Sequence, residues 1–417
     1  MLSRICRQTI RGAATKTVPS SKAPFYIERE LKYGAHNYAP VPVVIERAKG
    51  IYVWDVDGKQ YFDFLSAYSA VNQGHCHPRL VKVIKEQSEK LTLTARAFHN
   101  SVFGEYCEFI TKLLKYDKVL PMNTGVEAAE TAVKLARRWA YDVKKVPENK
   151  AKVVFANDNF WGRSIAAISA STDPDSYGGF GPFKAISDPN TAAFHVEPIQ
   201  GEAGIVVPSP GYLKGVRELC NKYNVLFIAD EVQTGLCRTG KMLCVHHDDV
   251  RPDIVTLGKA LSGGTHPVSA VLADDHVMLV IKPGQHGSTY GGNPLASRIA
   301  IEALKILIEE NLAENATKQG ERLMKKLRTL PKEVVKEVRG KGLLTAIVID
   351  KKRLLTAIVI DKKKVDPWKV VLALKENGIL SKNTHGDIIR FAPPLIINEK
   401  QIDEAFSLIE KTIKSFV

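Results

Sequence analysis

Two apolar runs in this chain end on opposite charges: "VLFIAD" closes on Asp230 and "DIVTLGK" on Lys259. A carboxylate and a primary amine brought to one place can exchange a proton, and the amine can capture a carbonyl carbon. Each is weak evidence alone, because a lysine after an apolar run usually snorkels to solvent and an aspartate at a strand end often caps the next helix. The pair gains weight from its surroundings. Glu197 closes a third such run, "TAAFHVE". "NTGVEAAETAVKLAR" sets Gly125 and Val126 at a predicted helix start, where free N–H groups and the helix dipole bind phosphate. "HGSTYGGNP" adds the hydroxyls of Ser288 and Thr289 beside glycines that let a backbone approach an anion closely.

Those groups need a frame. Strand-like runs at 152–157, 191–197, 225–230, 253–258 and 268–273 alternate with helical patterns, which predicts a mostly parallel sheet covered on both faces. Ligands of such sheets sit outside the carboxyl ends of the strands, and Glu197, Asp230 and Lys259 all fall at or just past such ends. Before the sheet, residues 40–75 read as short strands with an Asp-Gly hairpin turn at 57–58, followed by helices over 78–94, 101–115 and 126–143. One long helix is expected over 293–329, leading into a small domain of mixed strands and helices.

Composition narrows the function classes. The chain has 417 residues, is 45% hydrophobic and carries a formal charge of +14. Its excess charge is not a nucleic-acid surface. Arg4, Arg7, Arg11, Lys16 and Lys22 stand in an N-terminal stretch without acids, and no basic stripe interleaved with aromatics remains elsewhere. Residues 1–27, rich in Arg, Ser and Thr, have the composition of a mitochondrial transit peptide. No apolar run approaches the ~20 residues of a membrane-spanning helix, so no membrane partner is expected. The six cysteines form no CxxC pair and read as free thiols. The histidines of "HCH" (75–77) and "HHDD" (246–249) lack a third spaced cluster, so no metal is expected.

One decoy belongs to another enzyme class. "GLCRTGKM" matches the G-x-x-x-x-G-K of a phosphate loop, but Met242 stands where a hydroxyl must hold Mg²⁺ and no buried strand leads into the loop.

The motifs "FWGR", "EPIQGEAG", "ADEVQTG", "LGKALSGG", "HGSTYGGNP" and "THGDIIRFAPPL" together resemble the class-III, fold-type-I pyridoxal-phosphate aminotransferases, in the subgroup that transfers ω-amino groups. The resemblance runs from about residue 26 to 417. It implies an α/β fold like that of aspartate aminotransferase, with a large mostly parallel sheet domain and a smaller α+β C-terminal domain. The divisions expected are a leader (1–27), an N-terminal segment packing on the small domain (28–85), the cofactor domain (86–318) and the small domain (319–417).

By the same resemblance, Lys259 matches the lysine whose amine condenses with the aldehyde of pyridoxal 5'-phosphate. Asp230 matches the partner of the pyridine nitrogen, where a carboxylate keeps that nitrogen protonated. Phe160 matches the aromatic that stacks on the ring and Gln233 the residue near its hydroxyl. Gly125 and Val126 match backbone phosphate contacts, with Ser288 and Thr289 supplied by a neighbouring subunit, which implies a homodimer or larger homo-oligomer. On the substrate side, Arg390 matches the arginine that grips the α-carboxylate of 2-oxoglutarate, and Glu202 the residue that pairs with it during the other half-reaction. Arg163 matches the contact for the distal carboxylate. Tyr38 and Tyr68 match the residues that hold the α-carboxylate and α-amine of L-ornithine.

The implied reaction is ping-pong. L-ornithine gives its δ-amine and leaves as glutamate 5-semialdehyde, and 2-oxoglutarate takes the amine and leaves as glutamate, in the mitochondrial matrix. Acetylornithine and 4-aminobutyrate aminotransferases are sister readings, and a cofactor-binding chain without activity is a third.

Two departures from the family pattern are internal. "LLTAIVIDKK" occurs at 343–352 and again at 354–363, so two identical strands compete for one place in the small-domain sheet. Between Phe183 and Asp188 the chain is shorter than expected by roughly one helix and its leading strand.

Overall fold

The structure, a computed structural model, describes residues 21–35, 37–94, 96–179, 190–350 and 365–417. Most of the leader, the shortened connection at 183–188 and the second copy of the repeat lie outside the described residues. A helix, Ala23–Tyr33, begins within the stretch whose composition suggests a leader.

The N-terminal segment forms strands β1 (Ile45–Lys49), β2 (Tyr52–Asp55) and β3 (Gln60–Asp63), paired antiparallel in sequence. The central sheet follows, with β4 (Lys118–Met122), β5 (Lys152–Phe155), β6 (Thr191–Val196), β7 (Leu226–Asp230), β8 (Ile254–Leu257) and β9 (Ser269–Ala273), in the order β4-β9-β8-β7-β6-β5. The pairs from β5 to β8 are parallel, and β9 is antiparallel to both β8 and β4. Five strands therefore run one way and only β9 runs against them.

Strands β7, β8 and β9 are buried at every position. Their side chains divide by the strand's period of two. Leu226, Ile228, Ile254 and Val271 pack with the helix Gly125–Asp142, while Phe227, Ala229, Val255 and Leu257 pack with the opposite layer, which includes the helix Pro294–Glu309. Each fully buried branched side chain contributes about 1.5–3 kcal/mol. The helix Gly125–Asp142 starts at a capping box, with Thr124 and Glu127 satisfying each other's backbone. It meets the sheet through Ala128, Ala132, Ala136 and Ala140, whose small side chains let it lie close.

The helix expected over 293–329 is two helices, Pro294–Glu309 and Leu312–Leu327. Asn311 breaks them by taking φ 52°, a left-handed conformation that asparagine tolerates better than most residues. Apolar periodicity continues across the break, so the pattern alone reads as one helix. The helix Leu312–Leu327 also runs through position 318, so the domain boundary expected there falls inside an element.

The C-terminal region adds β10 (Val335–Lys341), β11 (Leu344–Ile349), β12 (Ile379–Leu380), β13 (Lys382–Thr384) and β14 (Ile388–Phe391). Strand β12 joins the N-terminal sheet, parallel to β3, and the others form an antiparallel sheet in the order β10-β11-β14-β13. Strand β11 is the first copy of the repeat, and its register sets Ala346 opposite Arg390.

Arg238 ties the three regions together. It is fully buried and donates to the carbonyls of Leu343 at 3.0 Å and Pro393 at 2.6 Å, and to Asn72 Oδ1 at 2.5 Å. Leu343 N–H returns a hydrogen bond to the Arg238 carbonyl at 3.1 Å. Removing the guanidinium leaves these acceptors dry, at about 1–3 kcal/mol each. Arg238→Met is expected to cost about 3–5 kcal/mol in urea unfolding; a loss below about 1 kcal/mol would show that the acceptors find other donors.

Candidate active site

Four carboxyl ends of the central sheet meet at one edge. Asp230 is the last residue of β7, Glu197 follows the end of β6, Lys259 lies two residues past β8, and Gly125 lies three past β4. Lys259 opens a short 3-10 turn, Lys259–Ser262, with φ 45°. A left-handed lysine costs about 1–2 kcal/mol and persists only where its surroundings require it.

Two turns approach to van der Waals distance here, and Val232 closes the space at Gly125. A Cβ on Gly258 would stand 3.6 Å from Gly125 Cα, and one on Gly125 would stand 2.9 Å from Val232 Cγ1. At the head of the helix Gly125–Asp142, Thr124 takes the N–H of Glu127 through its side chain and that of Ala128 through its carbonyl. The N–H groups of Gly125 and Val126 are left at the open end, a place suited to an anion.

Burial sets the charges. Asp230 is 5% exposed and accepts from Val232 N–H at 3.0 Å. Loss of water pushes its carboxyl up to about 6, against the pull of Val232 N–H and the Lys259 charge. Glu197 accepts from the N–H groups of Phe160 at 3.0 Å and Gly201 at 2.9 Å. Burial and then the Asp230 charge still raise it to about 8. Lys259 is held below its ordinary value by burial, with Glu202 opposing and Arg390 reinforcing that shift.

The outer side of the cleft is organised by Arg390 on β14. Its Nη1 lies 2.9 Å from Glu202 Oε1 and donates to the Gly201 carbonyl at 3.3 Å. Gln233 Nε2 also donates to Glu202 Oε1, at 3.3 Å. Burial alone would raise the Glu202 carboxyl, but the Arg390 and Lys259 charges outweigh it and leave it lowered. The guanidinium carbon of Arg390 lies 4.8 Å from the centre of the Tyr68 ring. Tyr68 reaches that position from a left-handed turn in which Ser66, Ala67, Tyr68 and Ser69 have φ 49°, 48°, 61° and 72°.

The remaining expected residues surround this cluster. Arg163 lies 5.2 Å from the Phe160 ring centre and donates to Ser176 Oγ at 3.0 Å. Tyr38 is 71% exposed, with Lys382 Nζ 5.7 Å from its ring centre. Ser288 Oγ accepts from Asn123 Nδ2 at 2.9 Å, two residues before Gly125, and Thr289 is exposed on the same loop. Of the expected set, Tyr68, Glu202, Gln233, Lys259 and Arg390 are brought together. Phe160 stands beside Glu197 with Arg163 near its ring, Ser288 stands beside the turn before Gly125, and Tyr38 and Thr289 are exposed.

The phosphate-loop decoy is elsewhere. Gly240, Lys241 and Met242 line a separate cavity of about 780 Å³, and the stretch 235–242 runs through turns rather than into a helix. Sequence reading missed His195, buried two residues before Glu197 on the same face of β6. Its signal was a histidine inside a run of otherwise apolar residues.

The family model described as "Aminotransferase class-III" matches residues 33–186 and 182–413, two segments that meet at the shortened connection. The chain is 65% identical over 405 residues to the probable mitochondrial ornithine aminotransferase of Caenorhabditis elegans, covering 93% of each. It is 63% identical over 414 residues to the mitochondrial ornithine aminotransferase of Rattus norvegicus, covering 95% of this chain and 92% of the other. Among solved structures, it superposes on an ornithine aminotransferase of Toxoplasma gondii with a TM-score of 0.90 at 48% identity, covering 94% of each chain; that structure has partial occupancy of pyridoxal phosphate at its active site.

Glu197 gives the site a pH signature. Its folded value near 8 lies above the ordinary 4.5, so the fold favours the protonated form. Its stabilising contribution is complete below about pH 4.5 and is lost as pH rises towards about 8. His195, held neutral down to about 3 against an ordinary 6.5, adds little slope above pH 6.5. Lys259, held below its ordinary 10.5 by burial, contributes the opposite slope, so the test is a difference: between about pH 6.5 and 8.5 the melting temperature of the cofactor-free protein should fall more, or rise less, than that of Glu197→Gln. Equal slopes would mean that Glu197 is already ionised in the folded protein.

Proposed function

The chain belongs to the class-III aminotransferase family, and on that premise we propose that it transfers the δ-amino group of L-ornithine to 2-oxoglutarate. The chain is a pyridoxal-phosphate-dependent transaminase, as its family and relatives are. The residues at the cleft fit that cofactor. The open helix end at Gly125 and Val126 suits a phosphate, the close approach of Gly125 to Gly258 leaves backbone rather than side chains beside it, and Asp230 is a buried carboxylate available to a protonated ring nitrogen. Phe160 and Gln233 would hold the ring. When bound, the cofactor supplies an aldehyde that takes up amino groups and a conjugated ring that takes up electrons from the substrate carbon.

The chain's own residues then have defined tasks. Asp230 holds the proton on the ring nitrogen. Lys259 Nζ, its basicity lowered by burial, is the group that carries a proton between the substrate carbon and the cofactor.

The observation that carries the substrate reading is the 2.9 Å pair between Glu202 and Arg390. Arg390 is shaped for a bidentate grip on a carboxylate. While Glu202 covers it, an amino acid entering with its α-carboxylate towards Arg390 must displace a half-buried partner. A δ-amine entering first needs no such displacement, because its carboxylate lies beyond the Tyr68 ring that packs on Arg390, towards Tyr38. Once 2-oxoglutarate arrives, its α-carboxylate replaces Glu202 on Arg390 and its distal carboxylate meets Arg163. The assembly proposed is a homodimer or larger homo-oligomer in which a neighbouring subunit lends Ser288 and Thr289. The relatives' mitochondrial names support a mitochondrial enzyme, and we place it in the matrix.

Purified protein without residues 1–27 is expected to show the visible absorption of lysine-bound pyridoxal phosphate. L-ornithine without an acceptor should bleach it, N-acetylornithine and 4-aminobutyrate should act much more weakly, and Lys259→Ala should lack it. Bound cofactor that ignores ornithine but responds to a sister substrate would overturn the substrate assignment. Glu202→Gln is expected to slow the ornithine half-reaction about tenfold or more while sparing that of glutamate, as single-turnover rates will show. Equal slowing of both would remove Glu202 from the discrimination.

A further inference from the structure

His195 is 1% exposed, and neither ring nitrogen has a hydrogen-bond partner among the described residues. Buried histidines are ordinarily satisfied through at least one nitrogen, so a packing role alone leaves this residue unexplained. Its ring packs against Phe155, at 5.1 Å between centroids, and Trp161, at 5.8 Å, which stack on each other at 5.1 Å. Strand register sets His195 beside Ile228 on β7, so its neighbour two residues further along the same face is Asp230. There the imidazole Nε2 stands 3.8 Å from Asp230 Oδ2.

We propose that His195 is a positioning residue for the reaction: its neutral imidazole directs the Nε2–H dipole at Asp230 and so favours the carboxylate that faces the cofactor's ring nitrogen. At 3.8 Å the interaction is between a dipole and a charge rather than a hydrogen bond. Burial keeps the imidazole neutral, pulling it down to about 3, so it adds no positive charge to compete with the ring nitrogen for Asp230. The other charged groups that act on Asp230 are Lys259, which also favours its carboxylate, and Glu197 and Glu231, which repel it.

The consequence concerns one proton shared by two atoms, the ring nitrogen and an Asp230 oxygen. A dipole that stabilises the carboxylate leaves the proton on nitrogen, where the ring is the stronger electron acceptor. Without that dipole the same proton moves towards Asp230, with no proton gained or lost.

This inference rests on the reading that Asp230 meets the ring nitrogen, and its test separates the two. Protein reconstituted with pyridoxal phosphate labelled with ¹⁵N at the ring is compared with His195→Phe, which keeps a ring in the slot without an N–H, and with His195→Gln, which restores a donor. The unmodified protein should show a protonated ring nitrogen, the phenylalanine variant a resonance displaced towards the unprotonated form, and the glutamine variant a return towards the original. A resonance unmoved in His195→Phe would overturn the proposal, whereas an unprotonated nitrogen in the unmodified protein would overturn the Asp230 reading beneath it. Should His195→Phe fail to fold, ¹⁵N-histidine labelling of the unmodified protein decides the matter. A neutral His195 carrying its proton on Nε2 from pH 6 to 9 supports the proposal, and an Nδ1–H tautomer or a titration within that range overturns it.

Discussion

Holding ionisable groups away from water is the constraint on which this structure turns. Asp230, Glu197 and Lys259 are each shifted towards neutrality by burial, and none has enough close partners to offset it fully. Stability for this arrangement comes from elsewhere: from strands β7 to β9, buried along their whole length, and from the helices packed on both faces of the sheet. The strand ends are where such groups can stand, since the backbone there has left the hydrogen-bonded ladder and each turn can be shaped separately. The left-handed Lys259 and the closeness of Gly125 to Gly258 are local results of that freedom.

The two sides of the cleft solve different electrostatic problems. On the inner side, Glu197 and Asp230 repel across a dry space, and the cleft gains a carboxyl that can hold a proton near neutrality. Further out, Arg390 sits in an equally buried position but is covered by Glu202 and the Gly201 carbonyl, while its Nε finds no partner among the described residues. A guanidinium satisfied on one edge and open on another suits alternating partners, since replacing one carboxylate by another changes the occupant without stranding the charge.

Much of this was legible from residue types. Continuous Val, Ile and Leu runs ending in charged residues mark strands buried on both faces and their functional ends. The run "NTGVEAAETAVKLAR" marks a helix start at Gly125 and Val126, whose free N–H groups suit an anion. The direction of β9 was not legible, because "VSAVLA" buried on both sides reads the same whichever way it runs. The break at Asn311 was hidden by apolar spacing that continues across it, and the left-handed turn at Ser66–Ser69 has no glycine to announce it. His195 was obscured for a different reason: a polar residue within an apolar run acquires meaning only when strand register reveals its neighbour.

Strand β11 has a property that no other strand here shares. Its sequence is written twice, eleven residues apart, and the first copy holds the place beside Arg390. Moving a loop of about eleven residues from one side of a strand to the other changes closure entropy only modestly. The chain thus holds a second, verbatim text of the strand beside Arg390, so a substitution in either copy leaves the other copy's pattern of residues unaltered.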